Sequence, residues 1–446
     1  MPTLQIEQTP IHALRPQDRN ARTHSKRQIR QIADSMKRFG FTNPILTDDD
    51  LQIIAGHGRH EAAKLLSMTT VPSIRLSHMS QMEKRAYIVA DNAIALKAGW
   101  DREILAIELQ GLIDLGFEVE LTGFEPAEID LILGDWQEAS GEAVTPDDQY
   151  AEPSEGPIVS RLGDLWILGT HRLLCGDARS PEDYKRLLGT DRADLVFTDP
   201  PYNVPIEGHV SGLGRIEHRE FAMASGEMTE AEFTNFLTQV FRATAEVSRD
   251  GALHYICMDW RHLYEVLSAG RAIYSSFINL CVWNKDNGGM GSFYRSKHEL
   301  ILCFKAGTKS HTNNVELGRH GRNRTNVWEY AGVNTFRAGR LDELALHPTV
   351  KPVALIADAI KDASRRSNVV LDPFCGSGST LIATEKTGRH GCGIEIDPQY
   401  VDVAVRRWQG YSGKPARLDG CNASFEEIAE QRNSISPNQN TAASAK

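Results

Sequence analysis

The sequence predicts an α/β fold built on an open sheet, preceded by a smaller α+β domain. Three observations carry this expectation. The apolar run Asp194-Leu195-Val196-Phe197-Thr198 reads as a buried strand and closes on Asp199-Pro200-Pro201-Tyr202. A second run, Asn368-Val369-Val370-Leu371-Asp372, leads into Phe374-Cys375-Gly376-Ser377-Gly378 and a helical stretch from Ser379 to Lys386. Between the two domains, residues 137–157 are polar and rich in Gly, Pro and acid, the composition of a linker.

Taken in order, the first domain opens with Lys26 to Phe39, where Ile29, Ile32, Met36 and Phe39 fall at helical spacing. Asn43-Pro44-Ile45-Leu46 and Gln52-Ile53-Ile54-Ala55 read as short strands joined by the turn Asp48-Asp49-Asp50. Gly56-His57-Gly58-Arg59-His60 then enters a helix through Leu66, and Val71-Pro72-Ser73-Ile74 returns as a strand. A Gly turn into a helix N-terminus suits an anion, because free N–H groups and the helix dipole point there. Residues 101–136 read as helices packing beside this domain, with no clear helix-turn-helix.

Beyond the linker, Leu165-Trp166-Ile167-Leu168 is the hairpin partner of a strand ending Leu174-Cys175-Gly176-Asp177. Asp177 faces a ligand or caps the helix from Pro181; the residues leave both open. Cys392-Gly393-Ile394-Glu395-Ile396-Asp397 is a strand that ends in acid. His347-Pro348-Thr349-Val350-Lys351-Pro352 precedes an amphipathic helix with Leu355, Ile356 and Ile360. The polar tail after about Glu427 reads as disordered.

At 446 residues the chain is long enough for two or three domains. Its 41% hydrophobic and 24% charged fractions are those of a soluble globular protein. Met1 to Pro10 lacks a basic start leading into an apolar stretch, so no signal peptide is expected, and no apolar run reaches the ~20 residues of a membrane helix. The seven cysteines form no Cys-x-x-Cys pair. That argues against a disulfide framework or zinc site and for a reducing cytoplasm.

The net charge of −10 does not exclude a nucleic acid partner, since phosphate needs only a local basic face. Two such segments exist. One carries Lys305, Lys309, Arg319, Arg322, Arg324, Arg337 and Arg340; the other includes Arg19, Arg22, Lys26, Arg27, Arg30 and Lys37.

Open α/β sheets bind ligands outside the carboxyl ends of their strands, where both principal motifs lie. There Asp199 offers a carboxylate and Pro200 a backbone carbonyl whose direction the two proline rings fix. Two acceptors aimed at the hydrogens of an aromatic amine favour a pyramidal nitrogen with a localised lone pair. Tyr202 adds a ring face. Gly376 and Gly378 permit a tight turn and close backbone approach, without the Lys-Ser/Thr of a phosphate loop.

These motifs, in this order, resemble the S-adenosylmethionine-dependent methyltransferases that methylate exocyclic amino groups of DNA bases. With the catalytic motif ahead of the cofactor motif, they resemble the permuted β group. The resemblance implies a Rossmann-like sheet with helices on both faces, over about residues 158–426. It implies S-adenosylmethionine as cofactor and no metal. Asp199, Pro200, Pro201 and Tyr202 would be catalytic. Phe374, Gly376 and Gly378, with Asp372 before them, would line the cofactor pocket, where Glu395 takes the ribose and Asp397 lies beside the adenine. Asp177 would also touch the adenine, while Thr349 and Lys351 would hold the methionine end.

The target-recognition region would span about 306–346, where Arg319, Arg322, Asn323, Arg324 and Asn326 have base-reading chemistry. The loop from Asn203 to Glu227 would close over a flipped base. The implied partner is double-stranded DNA, and related enzymes are often dimers, so a homodimer is an expectation. The resemblance implies transfer to N6 of adenine, since Asp heads the tetrapeptide more commonly in the family's adenine enzymes, with N4 of cytosine as the nearest rival. C5 methylation of cytosine is rejected because Cys375 lies inside the glycine turn. A non-catalytic binding adaptor is opposed by the intact polar positions.

Residues 4–95 resemble the ParB/sulfiredoxin-like domain through Gly56, His57, Arg59 and His60. Two departures argue against nucleoside triphosphate binding. His57 stands where an acid is usual, and Asp91-Asn92-Ala93-Ile94-Ala95 lacks the Gln and Arg of the later box.

Overall fold

The computed structural model describes residues 4–17, 23–139, 157–203, 226–286, 294–317, 324–331 and 351–435. They fall into two units, Met1–Glu142 and Ala143–Lys446. The linker expected at 137–157 lies mostly outside the described residues, and its first residues are helical instead, in the helix Pro126–Ala139.

The first unit contains β1 (Ile6–Pro10), α1 (Lys26–Phe39), β2 (Ile45–Thr47), β3 (Ile53–Ala55), α2 (His57–Leu65) and β4 (Thr70–Arg75). Then follow α3 (Gln81–Lys97), α4 (Arg102–Asp114) and α5 (Pro126–Ala139). The strands form a sheet in the order β1-β4-β2-β3, with β4 antiparallel to β1 and parallel to β2. Leu14, Ile45, Ile53, Ala63 and Val71 make its core. Ser25 caps α1 by accepting the Gln28 N–H, and a Ser80–Glu83 capping box starts α3. Helices α4 and α5 form a separate cluster through Ala106, Leu109, Ile129 and Leu133. Gly116 and Gly123, at φ 72° and 97°, turn the chain between them.

The second unit begins with β5 (Leu165–Leu168), β6 (His171–Cys175), α6 (Pro181–Leu188), β7 (Ala193–Thr198), α7 (Glu230–Glu246) and β8 (Ser248–Met258). It continues with α8 (Leu263–Ile273), β9 (Ser276–Asn284), β10 (His298–Lys305), β11 (Val327–Glu329), α9 (Val353–Ala363) and β12 (Val369–Asp372). Last come α10 (Ser379–Thr387), β13 (His390–Glu395), α11 (Pro398–Ser412), β14 (Arg417–Leu418) and α12 (Phe425–Ile435).

The strands form one sheet in the order β11-β9-β10-β8-β7-β12-β13-β6-β5-β14. Its central strands β8, β7, β12, β13 and β6 are parallel, and β10 is antiparallel to β8 and β9. Buried on both faces, these strands read as continuous apolar runs. Along β7, Leu195 and Phe197 pack with α9, α10 and α11, whereas Val196 joins the α6 side. The sheet is therefore Rossmann-like, with helices on both faces.

From β7 the chain crosses through α7 to β8; from β12 it crosses through α10 to β13 on the opposite side. The strand order reverses between β7 and β12, so a crevice opens outside their carboxyl ends.

The disordered tail expected from Glu427 needs correction. Helix α12 continues to Ile435, and Arg432 anchors it by donating to Val159 O at 2.5 Å and to Asp164 Oδ2 and Oδ1 at 2.5 and 3.1 Å. Polar composition alone suggested disorder; a tertiary ion pair, invisible to it, orders the segment. Residues 436–446 lie outside the described residues.

Candidate active site

Asp199 to Tyr202 leave β7 directly at the crevice, and the turn at 373–378 leaves β12 beside it. The Asp199 carboxylate accepts from Tyr202 OH at Oδ1 (2.6 Å) and from Lys351 Nζ at Oδ2 (2.5 Å). Lys351 stands just before α9. Its ammonium also reaches Tyr202 OH at 3.1 Å and Glu299 Oε2 at 2.9 Å. Glu299, on β10, accepts from Tyr202 OH at 3.2 Å and pairs through Oε1 with Lys285. Both cations lie near the Trp283 ring, Lys285 at 4.5 Å and Lys351 at 6.0 Å from its centroid.

The Lys351 side chain is only 3% exposed. Burial pushes the Asp199 carboxyl above its ordinary value; Lys351 opposes that and the like charge of Glu299 adds to it. Burial acts on Glu299 in the same sense, but two ammonium groups outweigh it and hold its carboxyl below the usual range. Asp199, Pro200, Pro201 and Tyr202 are thus brought together as the sequence groups them. Lys351, expected at the methionine end of a cofactor, has its ammonium on Asp199 and Glu299 instead, and Thr349 lies outside the described residues.

Across the crevice, Gly376 and Gly378 have φ of 51° and 82°, a region costly for other residues. A Cβ on Gly378 would stand 3.0 Å from Ala404 Cβ on α11, so this glycine permits close packing; one on Gly376 would meet nothing within 4 Å. Space therefore opens over Gly376. Glu395, at the end of β13, accepts the Gly376 N–H at Oε2 (2.8 Å) and the Asp397 N–H at Oε1 (2.9 Å). Burial pushes its carboxyl up to about 7. Asp372 is likewise pushed up to about 7 by burial, against bonds from Thr380 Oγ1 at 2.6 Å and Phe374 N at 3.1 Å. The Phe374 ring packs 6.0 Å from that of Phe236.

Asp397 caps α11, accepting the Gln399 N–H at 3.0 Å. Asp177 follows β6 and is held by Arg179, whose Nη2 donates at 2.7 Å. Ser180 caps α6, not Asp177. Burial raises the Cys375 thiol well above its ordinary value, so it remains protonated and is no nucleophile.

Two residues read from sequence as base-reading candidates are engaged in the fold. Arg324 pairs with Asp358 at 3.1 Å and Asp362 at 2.7 Å on α9, and Asn326 donates to Leu280 O at 3.0 Å. Arg319, Arg322, Asn323, most of the 203–227 loop and residues 332–346 of the recognition region lie outside the described residues. Asn203, at φ 54°, bonds Met228 O at 2.8 Å and accepts from Gly226 N at 3.1 Å, joining the two ends of that loop.

Sequence reasoning missed Glu299 and Lys285. Their only signal was an acid and a base in otherwise apolar strand segments. In the first unit, Arg59 Nη1 donates to Asn43 O at 2.6 Å, and burial, with His60 and His24 nearby, lowers the pKa of His57. No described helix is long and apolar enough to cross a membrane.

Residues 193–406 match the DNA methylase family, 2–93 the ParB N-terminal domain, and 103–162 the ParB-methyltransferase HTH domain. The last match corrects the expectation of no clear helix-turn-helix: α5 and all of α4 but Arg102, joined through glycine turns, lie within it. The Type II methyltransferase M.HpaI of Haemophilus parainfluenzae is 27% identical over 270 residues, covering 56% of this chain and 79% of that protein. The ParB-like nuclease domain-containing protein YnaK of Escherichia coli is 48% identical over 82 residues, covering 18% and 94%. Among solved structures, the M1.HpyAVI–SAM complex is 19% identical, covers 53% and 98%, and has a TM-score of 0.38. The methylase family uses S-adenosylmethionine. Residues 193–406 are thus a DNA methylase domain, preceded by a ParB N-terminal domain at 2–93 and a ParB-methyltransferase HTH domain at 103–162.

Proposed function

We propose that this chain is a site-specific DNA methyltransferase acting on the N6 amino group of adenine in a flipped-out base. One observation carries the reading: Asp199 and its two prolines end β7 at the switch point, beside the glycine turn of β12. A duplex base reaches such a crevice only by leaving the stack.

The residues over β12 and β13 fit S-adenosylmethionine. Open space lies over Gly376, and a carboxylate suited to two ribose hydroxyls stands next to it in Glu395. Asp397 and Asp177 would border the adenine, with Phe374, Gly378 and Asp372 shaping the turn and Thr349 taking the methionine end. When bound, the cofactor supplies an electrophilic methyl group. The Asp199 carboxylate and the Pro200 carbonyl accept the two hydrogens of the target amine, localising its lone pair and stabilising positive charge as it develops. Pro201 keeps that carbonyl aimed, and the Tyr202 ring stacks on the base, worth about 1–3 kcal/mol in other systems. Asp199 acts first as an acceptor; it need not be a strong base.

The Asp at the head of the tetrapeptide supports adenine; N4 of cytosine is the second reading, since the matched family takes in both. Labelled-methyl transfer to unmethylated duplex DNA, followed by nucleoside mass analysis, decides between them. N6-methyladenine is the expected product, and N4-methylcytosine would overturn the base assignment.

A further inference from the structure

We propose that Glu299 is a positioning residue for methyl transfer: it gives Lys351 a second carboxylate, so that the cation does not rest on Asp199 alone. This rests on the reading of Asp199 as acceptor for the target amine. A row of alternating charge crosses the site, running from Lys285 through Glu299 and Lys351 to Asp199. Its members come from the end of β9, from β10, from the head of α9 and from the end of β7. The Lys351 ammonium touches both carboxylates, at 2.5 and 2.9 Å, with the Tyr202 hydroxyl between them.

A buried ammonium with one carboxylate collapses into a tight pair and draws electron density from the acceptor lone pairs. With two carboxylates in contact, the cation divides its attraction between them. As a target amine approaches Asp199, Lys351 can shift weight toward Glu299 without any charge leaving the site. Lys285 completes the balance, leaving two ammonium groups against two carboxylates. Around Asp199 stand Tyr202 from its own turn, Lys351 from α9, Glu299 from β10, the Cys257 thiol from β8 and Asp372 from β12. Of these, Glu299 is the group that contacts Lys351 and Tyr202 together while leaving the chemistry to Asp199.

The test is Glu299→Gln in the full chain, read by single-turnover methyl transfer as a function of pH and by cofactor binding calorimetry. Cofactor affinity should stay within about threefold while the transfer rate falls about 100-fold, the scale of one lost electrostatic contact at a reacting centre. The acidic limb of the rate should move to lower pH. Asp199 loses a like charge and gains more of Lys351, so its carboxylate becomes a weaker proton and hydrogen-bond acceptor. Glu299→Asp, which keeps the charge, should recover much of the rate. In a Lys351→Met background, adding Glu299→Gln should change the rate less than about twofold, because the two act through one contact. A normal rate and unmoved pH profile in Glu299→Gln would overturn the proposal. So would equal losses in the Gln and Asp variants with no pH displacement, the mark of a structural prop. Asp199→Ala in the same assay separates the two readings: if that variant still transfers methyl at the native rate, the acceptor assignment itself fails.

Discussion

At the scale of single residues, the crevice sets two kinds of acid against each other. Asp199 is held within hydrogen-bonding distance of a cation and a hydroxyl, whereas the Glu395 carboxylate accepts from two backbone N–H groups. Burial raises Glu395 to about 7, so the cofactor-free protein carries it partly protonated near neutrality. On the role proposed for Glu395, ribose hydroxyls would donate to its ionised form and favour it. Cofactor affinity should therefore rise as pH increases from about 6 to about 8, with proton release on binding. Glu395→Gln should bind more weakly and lose most of that pH dependence; calorimetry in two buffers of different ionisation enthalpy measures both. An unchanged pH profile in the variant would remove Glu395 from the ribose.

At the scale of elements, packing explains which parts were legible in the sequence. The ends of β7 and β12 were legible because continuous apolar runs broke at Pro and Gly, residues whose backbone constraints mark a turn. Helix α1 was legible from its spacing. Glu299 was not: it lies 100 residues from Asp199 in sequence, and only the insertion of antiparallel β10 beside β8 brings the two together. Lys351 was visible as part of a motif, but its partner was not, because spacing cannot say which carboxylate a long side chain reaches.

Helix α12 was lost to its polar composition, although Arg432 ties it to Asp164. Arg432→Ala should cost about 1.5–3 kcal/mol, the worth of hydrogen bonds to a charged group, in chemical unfolding. A loss below the error of that measurement would mean the helix holds without it. Gly378→Ala places a methyl 3.0 Å from Ala404 at a φ of 82°, so about 1–3 kcal/mol should be lost as α10 and α11 are forced apart.

At the scale of the whole molecule, a ParB N-terminal domain and an HTH domain precede a methylase domain in a chain of net charge −10. We propose that the basic residues at 15–38, of which 18–22 lie outside the described residues, add phosphate contacts to the first unit. Deleting residues 1–142 should weaken DNA binding and flatten its dependence on salt, measured by fluorescence anisotropy across a salt series. A slope identical to that of the full chain would assign DNA affinity to the methylase unit alone. Asp372 and Glu395 hold protons more tightly folded than unfolded, so the stability these two contribute to the cofactor-free protein is lost as pH rises from the ordinary carboxylate range through about 7. Buried His254, lowered to about 3, contributes in the opposite sense below its ordinary value.

The most direct test of the central claim compares the native chain with Asp199→Ala, using labelled S-adenosylmethionine and unmethylated duplex DNA, with cofactor affinity measured alongside. The native chain should transfer methyl to DNA, and the variant should fall by about 10³-fold or more while binding cofactor within about threefold. Transfer by the variant at the native rate, or none by the native chain on any DNA, would contradict the account.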